Sequence, residues 1–73
     1  MRRQVPASVP TRIRSARVEA GLTREQMAPK VGVTLRTLAR WENGETERIS
    51  FASLQRVANA TGKHVSWFFG DAA

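Results

Sequence analysis

A chain of 73 residues without cysteine has room for one small domain and excludes disulfide stapling and thiolate metal centres. No apolar run approaches the roughly 18–20 residues of a membrane span, and the basic start Met1-Arg2-Arg3-Gln4-Val5-Pro6 has no apolar stretch behind it, so neither a membrane segment nor a signal peptide is read. Twelve Lys+Arg against six Asp+Glu leave a net charge of +6, and ten of the twelve bases are arginine, which points to a polyanionic partner; the competing reading is surface charge that keeps the chain soluble.

Residues 1–10 hold Pro6, Pro10 and two arginines with little apolar content, and read as a flexible basic arm. A domain over residues 11–70 and a short tail over 71–73 follow. The first helix is expected from Thr11 to Ala20. Thr11 caps it, Ile13, Ala16 and Ala20 share one face, and Gly21 ends it. Thr23 opens the second helix with a capping box, Thr23-Arg24-Glu25-Gln26, in which the residue three after the threonine is a glutamine. Met27, Ala28 and Val31 are its apolar positions and Gly32 stops it. Pro29 lies inside this helix and has no N–H for the carbonyl of Glu25, so a kink or a short helix is expected.

Thr34 caps a third helix, Leu35 to Glu42. Leu38 and Trp41 point one way, while Arg36 and Arg40, four residues apart, share another face. Asn43-Gly44 ends it, and a polar loop from Glu45 to Ile49 leads to Ser50, the cap of a fourth helix. Phe51, Leu54, Val57, Ala58 and Thr61 follow at helical spacing as its apolar face, and Gly62 ends that helix. His64 or Ser66 opens a last short helix through Trp67, Phe68 and Phe69, closed by Gly70. No segment alternates for long enough to make a sheet, so the class is all-α.

The informative stretch is Thr23 to Gly44: a capped helix, a glycine turn and a second capped helix. Two helices crossing steeply through a short turn need a small residue where they touch, a residue free to take positive φ in the turn, and an inward apolar anchor on the second helix. Ala28, Gly32 and Leu38 supply these in order, which is the helix-turn-helix pattern.

At this point the sequence resembles the lambda-type repressor and Cro family of helix-turn-helix domains, also called the XRE family. The resemblance covers roughly Ile13 to Gly70. Gly21-Leu22-Thr23-Arg24-Glu25-Gln26-Met27-Ala28 looks like the entry to the family's second helix, and Val31-Gly32-Val33-Thr34 like its turn. Leu38-Ala39-Arg40-Trp41-Glu42-Asn43-Gly44 looks like the end of its recognition helix, and Val65-Ser66-Trp67-Phe68-Phe69 like its closing helix. The resemblance implies a compact five-helix globule that binds operator DNA, usually as a dimer. Three features depart from the family's pattern: Pro29 in the second helix, apolar Leu35 where a polar base-contacting residue is common, and Glu45 and Glu47 in a loop that usually approaches a phosphate.

On this reading Arg36 and Arg40 are the candidate base contacts, each suited to guanine O6 and N7, against the bland alternative of solvated or phosphate-bound arginines. Leu35 faces a thymine methyl or fills a gap, and Ala39 lets the helix sit deep in the groove. Arg24, Thr23, Thr34, Thr37, Asn43 and Arg48 are candidate phosphate contacts, with capping as the plainer role of both Thr23 and Thr34 and packing as that of Thr37. Arg2, Arg3 and Arg12 form a candidate DNA arm, set against a simple tail. Glu42 opposes the dipole at a helix C-terminus and needs a partner; the resemblance supplies Arg17, as a structural ion pair. Three consecutive aromatics cannot all face one side of a short helix, so Trp67, Phe68 and Phe69 divide between core and a possible dimer contact.

The function read from these residues is a sequence-specific regulator of transcription on double-stranded operator DNA, a phage or bacterial repressor, acting in the cytoplasm and as a homodimer at least on DNA. The alternative is an antitoxin-like protein-interaction module for which DNA binding is secondary. An enzyme is disfavoured: one histidine, no cysteine, no tyrosine, no glycine-rich phosphate loop and no convergent carboxylates. No cofactor, metal or small-molecule ligand is expected.

Overall fold

A computed structural model describes residues 8–46 and 49–69, an all-helical fold of four α-helices and a closing 3-10 helix. They are α1 (Val9–Glu19), α2 (Arg24–Val31), α3 (Leu35–Glu42), α4 (Phe51–Thr61) and the 3-10 helix Val65–Phe69. Of the features read from sequence, arm residues 1–7 with Arg2 and Arg3, Glu47, Arg48, Gly70 and the tail 71–73 lie outside the described residues.

Side-chain caps fix where the helices begin. Thr23 Oγ1 accepts from the Gln26 backbone N–H at 3.1 Å while Gln26 Oε1 accepts from the Thr23 N–H at 2.9 Å, which completes the capping box of α2. Thr34 Oγ1 accepts from the Thr37 N–H at 3.1 Å, and Ser50 Oγ from the Ser53 N–H at 3.0 Å. The turn between α2 and α3 runs through Gly32 at φ +84°, a left-handed conformation that a β-carbon makes costly. The Val33 N–H then reaches back to the Ala28 carbonyl at 3.0 Å and satisfies the end of α2.

The start of α1 differs from expectation. α1 begins at Val9, capped by Ser8 and not by Thr11, and Pro10 lies within its first turn. A proline there costs nothing, because the N–H it lacks has no partner in the first turn anyway. Val9 and Pro10 therefore belong to the folded domain and not to the arm. α2 keeps its expected bounds, a short helix of 8 residues between the Thr23 cap and Gly32, and contains the exposed Pro29. The last element is a 3-10 helix, opened by His64, whose Nδ1 accepts from the Ser66 N–H at 3.2 Å.

The core draws on every element: Ile13 and Ala16 from α1, Met27, Ala28 and Val31 from α2, Leu38 and Trp41 from α3, Leu54, Val57 and Ala58 from α4, and Phe68 from the 3-10 helix. Fully burying each of the larger of these side chains, from valine to phenylalanine, stabilises by roughly 1.5–3 kcal/mol, the main favourable term for so short a chain. α2 packs on both α3 and α4, and α1 lies against α3, α4 and the 3-10 helix. α3 is thus held on its inner side by α1 and α2, with its outer side open.

Candidate nucleic-acid interface

α3 divides cleanly between its two sides. Leu38 is fully buried and Trp41 nearly so, which anchors the helix. Leu35, Arg36 and Arg40 are exposed, while Thr37 and Ala39 are half-buried. Neither Arg36 nor Arg40 has a hydrogen bond or ion pair with another described residue. Two long cations thus stand one turn apart on an open helix face, each with its five N–H donors unspent.

Behind this face lies a cluster of opposite character. The Glu42 side chain has no solvent exposure and accepts three hydrogen bonds. Arg17 Nε donates to its Oε2 at 2.8 Å and Arg17 Nη2 to its Oε1 at 3.1 Å, a bidentate fork. Arg17 Nη1 donates to the Leu22 carbonyl at 2.9 Å, so every nitrogen of Arg17 is engaged. The third bond was not anticipated: Arg24 Nε donates to Glu42 Oε1 at 3.0 Å. The expectation of one arginine on Glu42 therefore becomes two, drawn from α1 and from the start of α2.

The threonines are occupied to different degrees. Thr34 Oγ1 accepts from one N–H and donates to Thr37 Oγ1 at 3.0 Å, so its proton is spent within the helix. The Thr23 hydroxyl only accepts from Gln26, and Thr37 only receives from Thr34, which leaves both protons for an outside acceptor. Asn43 caps α3 and is exposed.

Two expected assignments change. Arg12 is not an arm residue. It lies inside α1, its Nη1 donates to the Trp67 carbonyl at 2.9 Å, and its guanidinium sits 5.0 Å from the centre of the Trp67 ring. Lys63 Nζ lies 4.5 Å from the centre of the same ring and also meets Glu19 at 2.7 Å, so Trp67 is held by two cations. Phe68 is not a contact for a second molecule, because it is fully buried and meets Trp67 edge-on at 5.1 Å.

Phe69 is the exposed ring of the aromatic run, and it stacks on Phe51 with centroids 6.5 Å apart and planes 7° from parallel. The sequence places Phe51 on the apolar face of the fourth helix, yet it is 61% exposed. It is the first residue of α4, and nothing but Phe69 covers that end among the described rings. A shallow depression beside the pair is lined by Val9, Pro10, Thr46, Ile49, Leu54 and Phe69. No described helix is long and apolar enough to cross a membrane.

A protein family described as helix-turn-helix matches residues 13–68. An uncharacterized HTH-type transcriptional regulator of Sinorhizobium medicae (strain WSM419) is 33% identical over 64 residues, 88% of this chain and 45% of the relative. A protein of the same description from Rhizobium meliloti (strain 1021) gives the same figures. An uncharacterized transcriptional regulator in the ATPase CF(0) region of Rhodospirillum rubrum is 33% identical over 67 residues, 92% of this chain and 61% of the relative. The chain spans about half the length of the curated relatives it matches.

Proposed function

The chain belongs to the XRE-type helix-turn-helix family, and we propose that it is a sequence-specific regulator of transcription, a bacterial or phage repressor that reads operator DNA with α3. The observation that carries this reading is the pair of unpartnered arginines, Arg36 and Arg40, on the open side of a helix locked from behind by Leu38 and Trp41. A rigid helix with bidentate donors on its outer face suits the major groove, where arginine pairs with guanine O6 and N7. Leu35, 43% exposed, meets a thymine methyl, and Ala39 leaves the groove wall close to the helix. Arg24, Thr23, Thr37 and Asn43, together with Arg48, hold phosphates and set the register. Thr34 serves as a cap. The arm with Arg2 and Arg3 adds contacts along the duplex. The protein works in the cytoplasm, without cofactor or small-molecule ligand.

A second copy binds through the exposed Phe51–Phe69 pair and the depression beside it, so that two copies of α3 meet two half-sites. The test is selection of bound duplexes from a random DNA pool. The expected product is a two-fold-symmetric site with half-sites about one helical turn apart. Recovery of no preferred sequence contradicts the reading. The same aromatic pair favours one other reading, an antitoxin-like module whose protein partner covers it. Phe51→Ser separates the two: it weakens cooperative occupancy of the two half-sites if the pair joins copies, and leaves that occupancy unchanged if the pair serves another protein.

A further inference from the structure

We infer that buried Glu42 is the positioning residue of Arg24, the arginine proposed above to hold a phosphate, and that it does so by fixing Nε and leaving the other two guanidinium nitrogens for the phosphate. The inference rests on the reading of the chain as a DNA-binding protein and decides which arginines of the buried cluster serve it. Arg17 is spent, with Nε and Nη2 on Glu42 and Nη1 on the Leu22 carbonyl, and its side chain is only 12% exposed. Arg24 gives Glu42 its Nε alone, at 3.0 Å, and its side chain is 34% exposed. Its Nη1 and Nη2 have no acceptor among the described residues. A guanidinium fixed through Nε is held in its plane, and the edge formed by Nη1 and Nη2 remains to meet a phosphate with two parallel hydrogen bonds.

The charge count supports the same division. Two guanidiniums meet one carboxylate, so the cluster keeps one positive charge, and the more exposed member carries it to the surface. Glu42 also joins the two helices of the motif, since it is the last residue of α3 and Arg24 is the first of α2. The helix that crosses the sugar–phosphate backbone and the helix that enters the groove are thereby tied at one carboxylate. A lysine in place of Arg24 has a single ammonium group, which reaches Glu42 or the phosphate but lacks the fork that serves both.

The test is a double-mutant cycle on DNA binding, with the full chain and the selected operator duplex, read over a series of salt concentrations. Arg24→Ala is expected to weaken binding about tenfold on every sequence and to reduce the log–log salt slope by about 0.9, the signature of one lost phosphate contact. Arg24→Lys is expected to recover less than half of that loss on a logarithmic scale. Glu42→Gln is expected to weaken binding about threefold to tenfold in the wild-type chain and less than about twofold in the Arg24→Ala chain. A lowered Tm in both backgrounds accompanies it, because the bond to Arg17 is weakened either way. Equal losses from Glu42→Gln in the two backgrounds overturn the positioning role. An unchanged salt slope in Arg24→Ala overturns the phosphate contact, and does so even if the Glu42 variant fails to fold. Wild-type protein that binds no duplex removes the DNA-binding reading itself, an outcome distinct from either.

Discussion

Arg36 and Arg17 are the same residue type placed within one small domain, and they have opposite fates. Arg17 lies between α1 and α3 with every nitrogen bonded to protein, facing a carboxylate without solvent exposure. Arg36 stands on the outer face of α3 with nothing bonded to it among the described residues. The difference shows that arginine content alone does not measure DNA affinity here. Some of the basic charge builds the scaffold, and the part left unspent by the scaffold is available to read or hold a polyanion. Arg24 stands between the two, with one edge committed and the other open.

The largest expected effect breaks the scaffold side of this comparison. Arg17→Ala leaves Glu42 buried with one remaining partner and should lower stability by about 3 kcal/mol in denaturant unfolding. Next comes Arg36→Ala, which should leave the unfolding free energy within about 0.5 kcal/mol of wild type yet cost about 1–3 kcal/mol in operator binding. Thr34→Ala sharpens the boundary between the two sides. Its hydroxyl caps α3 and donates inward, so about 1 kcal/mol of stability should be lost, with any change in binding following from the helix start. Smallest of all is Glu19→Ala. Its bridge to Lys63 is largely solvated and should contribute less than about 0.5 kcal/mol, because Lys63 keeps its place over Trp67.

The central motif was legible residue by residue because three independent signals agree there. Caps at Thr23 and Thr34, a glycine at the turn, and apolar spacing through Met27, Ala28, Val31, Leu38 and Trp41 all act within a few residues. The exposure of Arg36 and Arg40 follows from that periodicity alone. The start of α1 was misplaced because Pro10 reads as a breaker, although the first turn of a helix accepts proline. Arg12 falls inside the first helix on either boundary; its side chain meets the Trp67 carbonyl, a contact between residues 55 apart in sequence that no local pattern reveals.

The partner of Arg24 was hidden for a similar reason. Glu42 lies 18 residues away, and one arginine, Arg17, already answers the glutamate's need for a partner at the end of α3. A single carboxylate has lone pairs for more than one guanidinium, and only the approach of α1, α2 and α3 shows that two arrive. The exposure of Phe51 is not legible in the sequence, because the residue keeps helical register with Leu54 and Ala58. Register assigns it to the apolar face, but the first turn of α4 extends past the core it would fill.

The central claim is that α3 reads bases through side chains the scaffold leaves unspent. It is tested most directly by measuring wild-type protein and Arg36→Ala against a panel of duplexes carrying every single-base change in the selected site. Arg36→Ala should lose discrimination at one position of each half-site and keep it at the others, with an unchanged Tm. Uniform weakening across the whole panel would make Arg36 a phosphate contact and contradict the account.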